Sequence, residues 1–343
     1  MSIDRAVCKK VQERWADLGM QGNAPETLQF LKVPGKLSNT GAVVAMIFNA
    51  STQKPVAVAK IPRTPSVTTG IVREQEAMEN VKRDTALWDG AKHIPANSFI
   101  DEVCGAKVLF QQAGEGHALV RDMVSRENEE LIYEQILPWL LAFHNQATTD
   151  IFLDEENLKR FVTGPIEQFL TLTKDIDGIT VPESVKQYLQ QLPLLLEGKK
   201  LKLCAQHGDF NAHNIVCTAT VSGPMDFTVI DWEDHRQSQL PIHDLNHFFI
   251  SNSKLLDTNS TAAGAFSKHI IGAGWYQNLY ASAVANYEAA GIIDSETFYR
   301  LTPIYLCEYA LRLMDEHRQQ GGTINVWVDR LTQYIETFPL LPR

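Results

Sequence analysis

The sequence predicts an α+β chain of two unequal lobes, a small antiparallel β-sheet followed by a larger, mostly helical part. Three observations carry this. Short β-rich runs alternate with turn-rich linkers from about residue 27 to 62, and helical periodicity dominates beyond residue 114. That helical part is interrupted by strand-and-loop texture from LKLCAQHGDF to DFTVIDWEDHR.

Composition bounds the answer further. The 343 residues are 44% apolar and 9% aromatic, ample for a core in about two domains, which excludes a disordered or fibrous chain. Forty-one acidic against 31 basic side chains leave a net charge of −10, which repels a nucleic-acid backbone or an anionic membrane, and no basic patch offsets it. Neither is therefore an expected partner. The five cysteines (Cys8, Cys104, Cys204, Cys217, Cys307) are scattered with no C-x-x-C pair, so neither a disulfide framework nor a structural zinc site is predicted. The N-terminus lacks the apolar core of a signal peptide and nowhere do 18 consecutive residues run apolar, which predicts a soluble cytoplasmic protein.

Taken in order, Ile3, Val7, Val11, Trp15 and Leu18 recur at steps of three and four, the spacing of one helix face, and Gly19 follows where such a helix would stop. Three strands are expected in TLQFLKV, AVVAMIF and VAVAKI, separated by the turn-rich PGKLSNTG and NASTQKP. After a loop, PRTPSVTTG, the run IVREQEAMENVKRDTALW has helical period. SFIDEV and KVLFQQ, broken by CGA, complete a five-stranded sheet. Around Gly114–Gly116 the texture changes. Residues 126–147 read as one helix that Pro138 kinks or breaks. Two or three helical segments are expected between 150 and 200, and helices again from about Leu240. The partition is thus an N-terminal helix over 1–20, an N-lobe over 21–113, and a C-lobe over 114–343 with a helical insert at about 150–200.

The most informative segment is HGDFNAHN, residues 207–214, followed by an apolar strand, a turn, and FTVI leading into Asp231-Trp232-Glu233. Phosphoryl transfer needs a carboxylate to take the proton of the attacking hydroxyl and oxygen ligands to hold Mg²⁺ on the nucleotide phosphates. Asp209 fits the base, and Asn214 and Asp231 fit the metal ligands. Upstream, Val56-Ala57-Val58-Ala59-Lys60 is a strand ending in a lysine, the arrangement that directs an ammonium at the α- and β-phosphates of ATP. A glutamate on the next helix would fix that lysine. Glu74 is preferred because Met78 and Val81 share its face, with Glu76 and Glu79 as rivals.

With these residues in this order, the chain resembles the aminoglycoside phosphotransferase and choline kinase family, which has a protein-kinase-like fold. HGDFNAHN is similar to the family's His-Gly-Asp loop with its Asn five residues on, and VIDWED to its strand ending in Asp-Trp-Glu. LLAFHNQ, with His144, resembles the signature that ends a long family helix, and Pro241-Ile242-His243-Asp244-Leu245 resembles its Pro-x-x-Asp-Leu element. The resemblance implies an ATP- and Mg²⁺-dependent phosphotransferase acting on a hydroxyl of a small molecule, with residues 21–113 as the nucleotide-clamping lobe. It implies Asp209 as catalytic base, Asn214 and Asp231 on Mg²⁺, and Lys60 on the phosphates. It implies a hinge in KVLFQQAG, with backbone groups near Gln112 and Ala113 on the adenine. His207, His144 and Asp244 would be scaffold residues.

Two departures stand out. The phosphate-covering loop KLSNTGAV holds one glycine, Gly41, with Ser38, Asn39 and Thr40 as alternative donors, and no G-x-G-x-x-G. The glycine usual before Pro-x-x-Asp-Leu is replaced by SQL. Three other readings compete. GDFN is also the form of a metal-binding motif in the endonuclease, exonuclease and phosphatase family, which would make the chain a metal-dependent phosphodiesterase, with Asp234-His235 as its terminal pair. Five histidines between His207 and His247 suggest a metalloprotein, although only His243 and His247 have helical spacing. A catalytically inactive kinase-fold binding module is the third, but such a chain should have lost one of Lys60, Asp209, Asn214 or Asp231.

Overall fold

The computed structural model describes residues 2–33, 41–84, 88–95, 97–114, 116–121, 132–218, 226–314 and 323–338. The chain forms two compact units, Met1–Arg121 with His207–Arg236, and Asp122–Gln206 with Gln237–Arg343. The segment that carries Asp209, Asn214 and Asp231 packs with the first of them.

In the first unit, helix α1 (Ile3–Glu13) runs into a single tighter turn, Trp15–Leu18, which ends at Gly19 with φ of +71°. Glycine suits that left-handed position, and a Cβ there would also meet the side chain of Asn97 at 2.1 Å. Val7, Val11 and Leu18 are fully buried and Trp15 packs partly buried beside them, so most of the apolar spacing read from the sequence is the face that packs, while Ile3 at the helix start is exposed. That face covers a five-stranded antiparallel sheet of β1 (Leu28–Lys32), β2 (Val43–Asn49), β3 (Pro55–Ile61), β4 (Ser98–Val103) and β5 (Ala106–Gln112), in the order β1-β2-β3-β5-β4. Ala45, Ile47, Ala57, Ala59, Val108 and Phe110 form the sheet's side of this core. The hairpin between β4 and β5 turns on Cys104 and Gly105, both at positive φ, the conformation a two-residue hairpin needs to match strand twist.

Helix α2 (Pro65–Asp84) starts inside the stretch expected to be a loop. Proline opens helices well because the first turn leaves its N–H position without a partner in any case, so PRTPSVTTG is a helix start as much as a linker. A second, three-stranded sheet joins His117–Ala118, Ile215–Thr218 and Asp226–Val229.

The second unit is mostly helical. Pro138 lies in the first turn of helix Leu137–Gln146, which continues a π-helical turn over Ile132–Ile136, so it starts the α-helix there rather than kinking it. Within 150–200, helices Gly164–Lys174 and Glu183–Leu196 form as expected. Thr148–Phe152, in contrast, is a strand paired antiparallel with Lys200–Gln206, a long-range pairing that local periodicity does not encode. A buried polar network holds this unit together. His144 Nε2 donates to Asp244 at 3.1 Å, the Tyr287 hydroxyl donates to His144 Nδ1 at 2.8 Å, and the Asp244 N–H donates to Gln206 Oε1 at 2.9 Å. All are essentially solvent-free, so His144 and Asp244 satisfy each other inside the core. Among the described residues no helix is long and apolar enough to cross a membrane.

His243, at the start of helix His243–Asn252, pairs with Glu308. Burial pushes its imidazole down, but the Glu308 carboxylate and hydrogen bonds to Glu308 and the Leu240 carbonyl outweigh this and leave it raised. A histidine raised in the folded state stabilises fully below its unfolded value of about 6.5, and that contribution is lost as pH climbs through the folded value. Glu308→Gln is therefore expected to cost about 1–3 kcal/mol at pH 6 and less at higher pH. Urea unfolding midpoints should show the gap between parent and variant narrowing with pH; a constant gap contradicts the pairing.

Candidate active site

The site is assembled by the open end of the hairpin Ile215–Thr218/Asp226–Val229. Val229 pairs with Ile215, and the Ile230 N–H donates to the Asn214 carbonyl at 2.9 Å, so Asn214 and the segment ending in Asp231 leave the hairpin side by side. Ahead of it, the loop from His207 is fixed by its own side chains. Asn211 and Asn214 both donate to the Asp209 carbonyl, at 3.0 and 2.9 Å, and Asn214 Nδ2 also donates to the Asp209 carboxylate at 2.9 Å. Both amide hydrogens of Asn214 are thereby committed to Asp209, and its remaining polar atom, Oδ1, is an acceptor suited to a hard cation.

His207 ties this loop to the Asp231 segment. Its Nε2 donates to the Ile230 carbonyl at 3.0 Å while Nδ1 accepts from the Asp209 N–H at 3.2 Å, and its ring packs edge-on against the buried Trp232. The adjoining Gly208 has φ of +88°, and a Cβ there would lie 2.2 Å from the Asp234 carbonyl oxygen, which explains glycine before the aspartate. Asp231 itself sits at φ of +70°, a conformation that costs a non-glycine residue free energy and persists where its surroundings impose it.

Lys60, at the end of β3, reaches the same place. Its Nζ lies 2.7 Å from both carboxylate oxygens of Glu74 and 2.6 Å from Asp231 Oδ1. Burial pushes the ammonium down, but Glu74 and Asp231 outweigh it and hold it above the usual lysine range, so it stays charged. Of the three candidate glutamates, Glu74 is the one that pairs, and it is 1% exposed. Glu233 is exposed; partial desolvation of its carboxyl and the adjacent Asp231 charge raise it above the ordinary carboxylate range, with Lys60 opposing.

Gln111 was not legible as a site residue. It sits on β5 on the α2 side, buried, and its amide donates to Glu74 Oε1 at 3.0 Å and contacts the Met78 sulfur at 3.3 Å. The available signal was a glutamine inside the apolar run VLFQQ, two residues from Leu109 and so on the same strand face. Gln111→Leu removes one donor from a buried carboxylate, so it should weaken nucleotide binding about three- to tenfold with an unchanged circular dichroism spectrum. Calorimetry that returns the parent's affinity contradicts that role.

The hinge differs in detail from expectation. The Gln112 N–H donates to the Asn97 carbonyl at 3.0 Å and the Ala113 N–H to the Val56 carbonyl at 3.2 Å, so both donors are spent within the unit. Contacts to a purine there would fall to carbonyls or to Gly114. A cavity of about 440 Å³ opens against Gln112, Ala113 and Gly114, walled by Ile94, Pro95 and Phe227, but Lys60, Glu74 and Asp231 do not line it. It is therefore distinct from the cluster of Lys60, Glu74 and Asp231. Gly41 is the first described residue after a stretch in which Ser38, Asn39 and Thr40 lie outside the described residues.

The oxygen donors offered by Asp231 and Asn214 suit Mg²⁺, which takes one or two protein oxygens and completes its shell with water and substrate phosphates. The histidines offer less to zinc: His207, His243 and His247 turn ring nitrogens to Ile230, Glu308 and Tyr305 respectively.

No protein-family model matches the chain, and no curated protein matches it. Among solved structures it is similar to a thermostable mutant of the aminoglycoside phosphotransferase APH(4)-Ia, at 12% identity and a TM-score of 0.60, over 97% of this chain and 99% of that one. It is also similar to the choline kinase of Cryptosporidium parvum Iowa II, at 11% identity and 0.58, over 97% and 94%. A GDP complex of an aminoglycoside 2'-phosphotransferase matches at 11% and 0.54, over 97% and 96%. At such identities the likeness establishes the fold, the two-lobed protein-kinase-like α+β fold. That fold is not the layered sandwich of the endonuclease, exonuclease and phosphatase family, which needs strands where this chain has helices.

Proposed function

We propose, for a chain with the fold of the aminoglycoside phosphotransferases and choline kinases, that it transfers the γ-phosphate of ATP to a hydroxyl of a small molecule. The observation that supports this most is Lys60, hydrogen-bonded at once to Glu74 and to Asp231, on the same unit as the Asp209–Asn214 pair. An inactive binding module has no need to keep all four groups in register.

In this reading the Asp209 carboxylate accepts the acceptor's hydroxyl proton while that oxygen attacks the γ-phosphorus, and ADP leaves with the bridging electron pair. Asn214 orients Asp209, and Lys60 offsets charge on the nucleotide phosphates. Asp231 and the Asn214 Oδ1 would hold Mg²⁺, which supplies charge neutralisation on the phosphates when bound. Residues 21–113 act as the nucleotide-clamping lobe, with Gly41 in the covering loop and the Gln112–Ala113 hinge along the base. In this reading the chain works in the cytoplasm, where ATP is at hand. The acceptor belongs to the class of aminoglycosides, amino alcohols, sugars or similar hydroxyl compounds.

Titration calorimetry tests the nucleotide part. ATP should bind with Mg²⁺ at least tenfold more tightly than in EDTA, and Asp231→Asn should abolish that gain. Equal affinity with and without Mg²⁺ would contradict the assignment of Asp231 and Asn214.

A further inference from the structure

The second unit buries a cation that the proposed reaction does not use. Arg330, on helix Thr323–Thr337, is 4% exposed. Its guanidinium carbon lies 4.5 Å from the centroid of the Trp327 ring and 5.9 Å from that of Phe266. Its Nε is sealed from solvent and finds no acceptor. Among the described residues no carboxylate pairs with it, and desolvation pushes the group down to about 10, opposed only by Tyr305 and Tyr309. One turn along the same helix face, Gln333 buries its Oε1 with no donor.

Burying an unpaired charge is costly, and proteins bury arginine mostly against an anion. The aromatic rings recover part of that cost by cation–π attraction, but they accept none of the guanidinium's N–H bonds. Its hydrogen bonds form in the plane, and there Nε is unmet. A guanidinium beside aromatic rings, with its Nε–H sealed from solvent and without an acceptor, is suited to a carboxylate or phosphate oxygen. The orphaned acceptor at Gln333 calls in addition for a donor, which a hydroxyl supplies. We infer that Arg330 anchors a binding site in the second unit for a small hydroxyl-bearing anion, a hydroxy carboxylate or a phosphate ester.

The test is thermal unfolding of the full chain in malate, in glycerol 3-phosphate, and in sodium chloride of matched ionic strength, without nucleotide. One or both anions should raise the parent's midpoint saturably by about 2 °C or more over chloride, and the arm that does so identifies carboxylate or phosphate. Arg330→Met should lose this rise while melting no lower than the parent in chloride, because an unpaired buried charge has been replaced by an apolar chain. Arg330→Lys, which keeps the charge without the planar fork, should need at least ten times more anion for half the effect. The inference is overturned if neither anion acts saturably on the parent, or if the rise survives Arg330→Met. It is also overturned if Arg330→Met melts several degrees lower in chloride, which would make the guanidinium a structural part of the core. None of these outcomes depends on the chain being a kinase.

Discussion

Asp209→Ala is expected to fold like the parent, to bind Mg²⁺–ATP with the parent's affinity, and to lose turnover about a thousandfold. The local geometry makes the separation clean. What holds the loop is mainly the Asp209 carbonyl, which receives Asn211 and Asn214, together with the His207 bridge from the Asp209 N–H to Ile230. Alanine keeps all of these and loses the carboxylate bond from Asn214. General-base catalysis contributes about a hundred- to ten-thousandfold, and a residue acting only in the transition state lowers kcat without changing binding. Asp209→Asn should behave alike, because the amide cannot accept the proton at neutral pH. Turnover within tenfold of the parent in either variant would remove Asp209 from the chemistry.

The second large effect is expected on stability. Lys60→Met leaves the Glu74 carboxylate, 1% exposed, with Gln111 as the one side-chain donor left to it among the described residues, and leaves Asp231 without its short contact. Breaking a buried ion pair from one side strands a charge and costs about 3–5 kcal/mol, whereas removing both partners costs much less. Lys60→Met should therefore unfold at clearly lower urea than the parent, and Lys60→Met/Glu74→Gln should regain most of the loss while remaining unable to bind nucleotide phosphates. A double-mutant cycle measures the coupling directly. Asp231 is about one-third exposed, so most of the effect is assigned to Glu74. A single variant within about 0.5 kcal/mol of the parent would show that Glu74 and Lys60 are not coupled in solution.

Much of the fold was legible because its determinants are local. The spacing Val7, Val11, Leu18 marks the buried face of α1, and the turn chemistry of Cys104-Gly105 sets the β4–β5 hairpin. What failed was non-local. Thr148–Phe152 became a strand through pairing with Lys200–Gln206, some fifty residues away, and α2 began at Pro65 because a proline that closes a loop also opens a helix. At the site, the motif residues stood out by type and order, but their bonding did not. Asn214 orients Asp209 through an amide, His207 works through two ring nitrogens, and Gln111 reaches Glu74 from a strand that reads as apolar. Pairing of Lys60 with Glu74 rather than Glu76 or Glu79 follows helix phase, since Glu74 shares the face of Met78 and Val81, both buried. The hinge N–H groups of Gln112 and Ala113 are occupied by Asn97 and Val56, a matter of backbone partners that no side-chain pattern records.

The measurement closest to the central claim is Mg²⁺-dependent ADP release by the purified chain across a panel of aminoglycosides, amino alcohols, sugars and hydroxy amino acids, with Asp209→Ala beside it. The account predicts ADP formation that requires both Mg²⁺ and one class of acceptor, in equal amount to a phosphorylated product, and lost in the variant. ADP release that is independent of acceptor and undiminished in Asp209→Ala would contradict it.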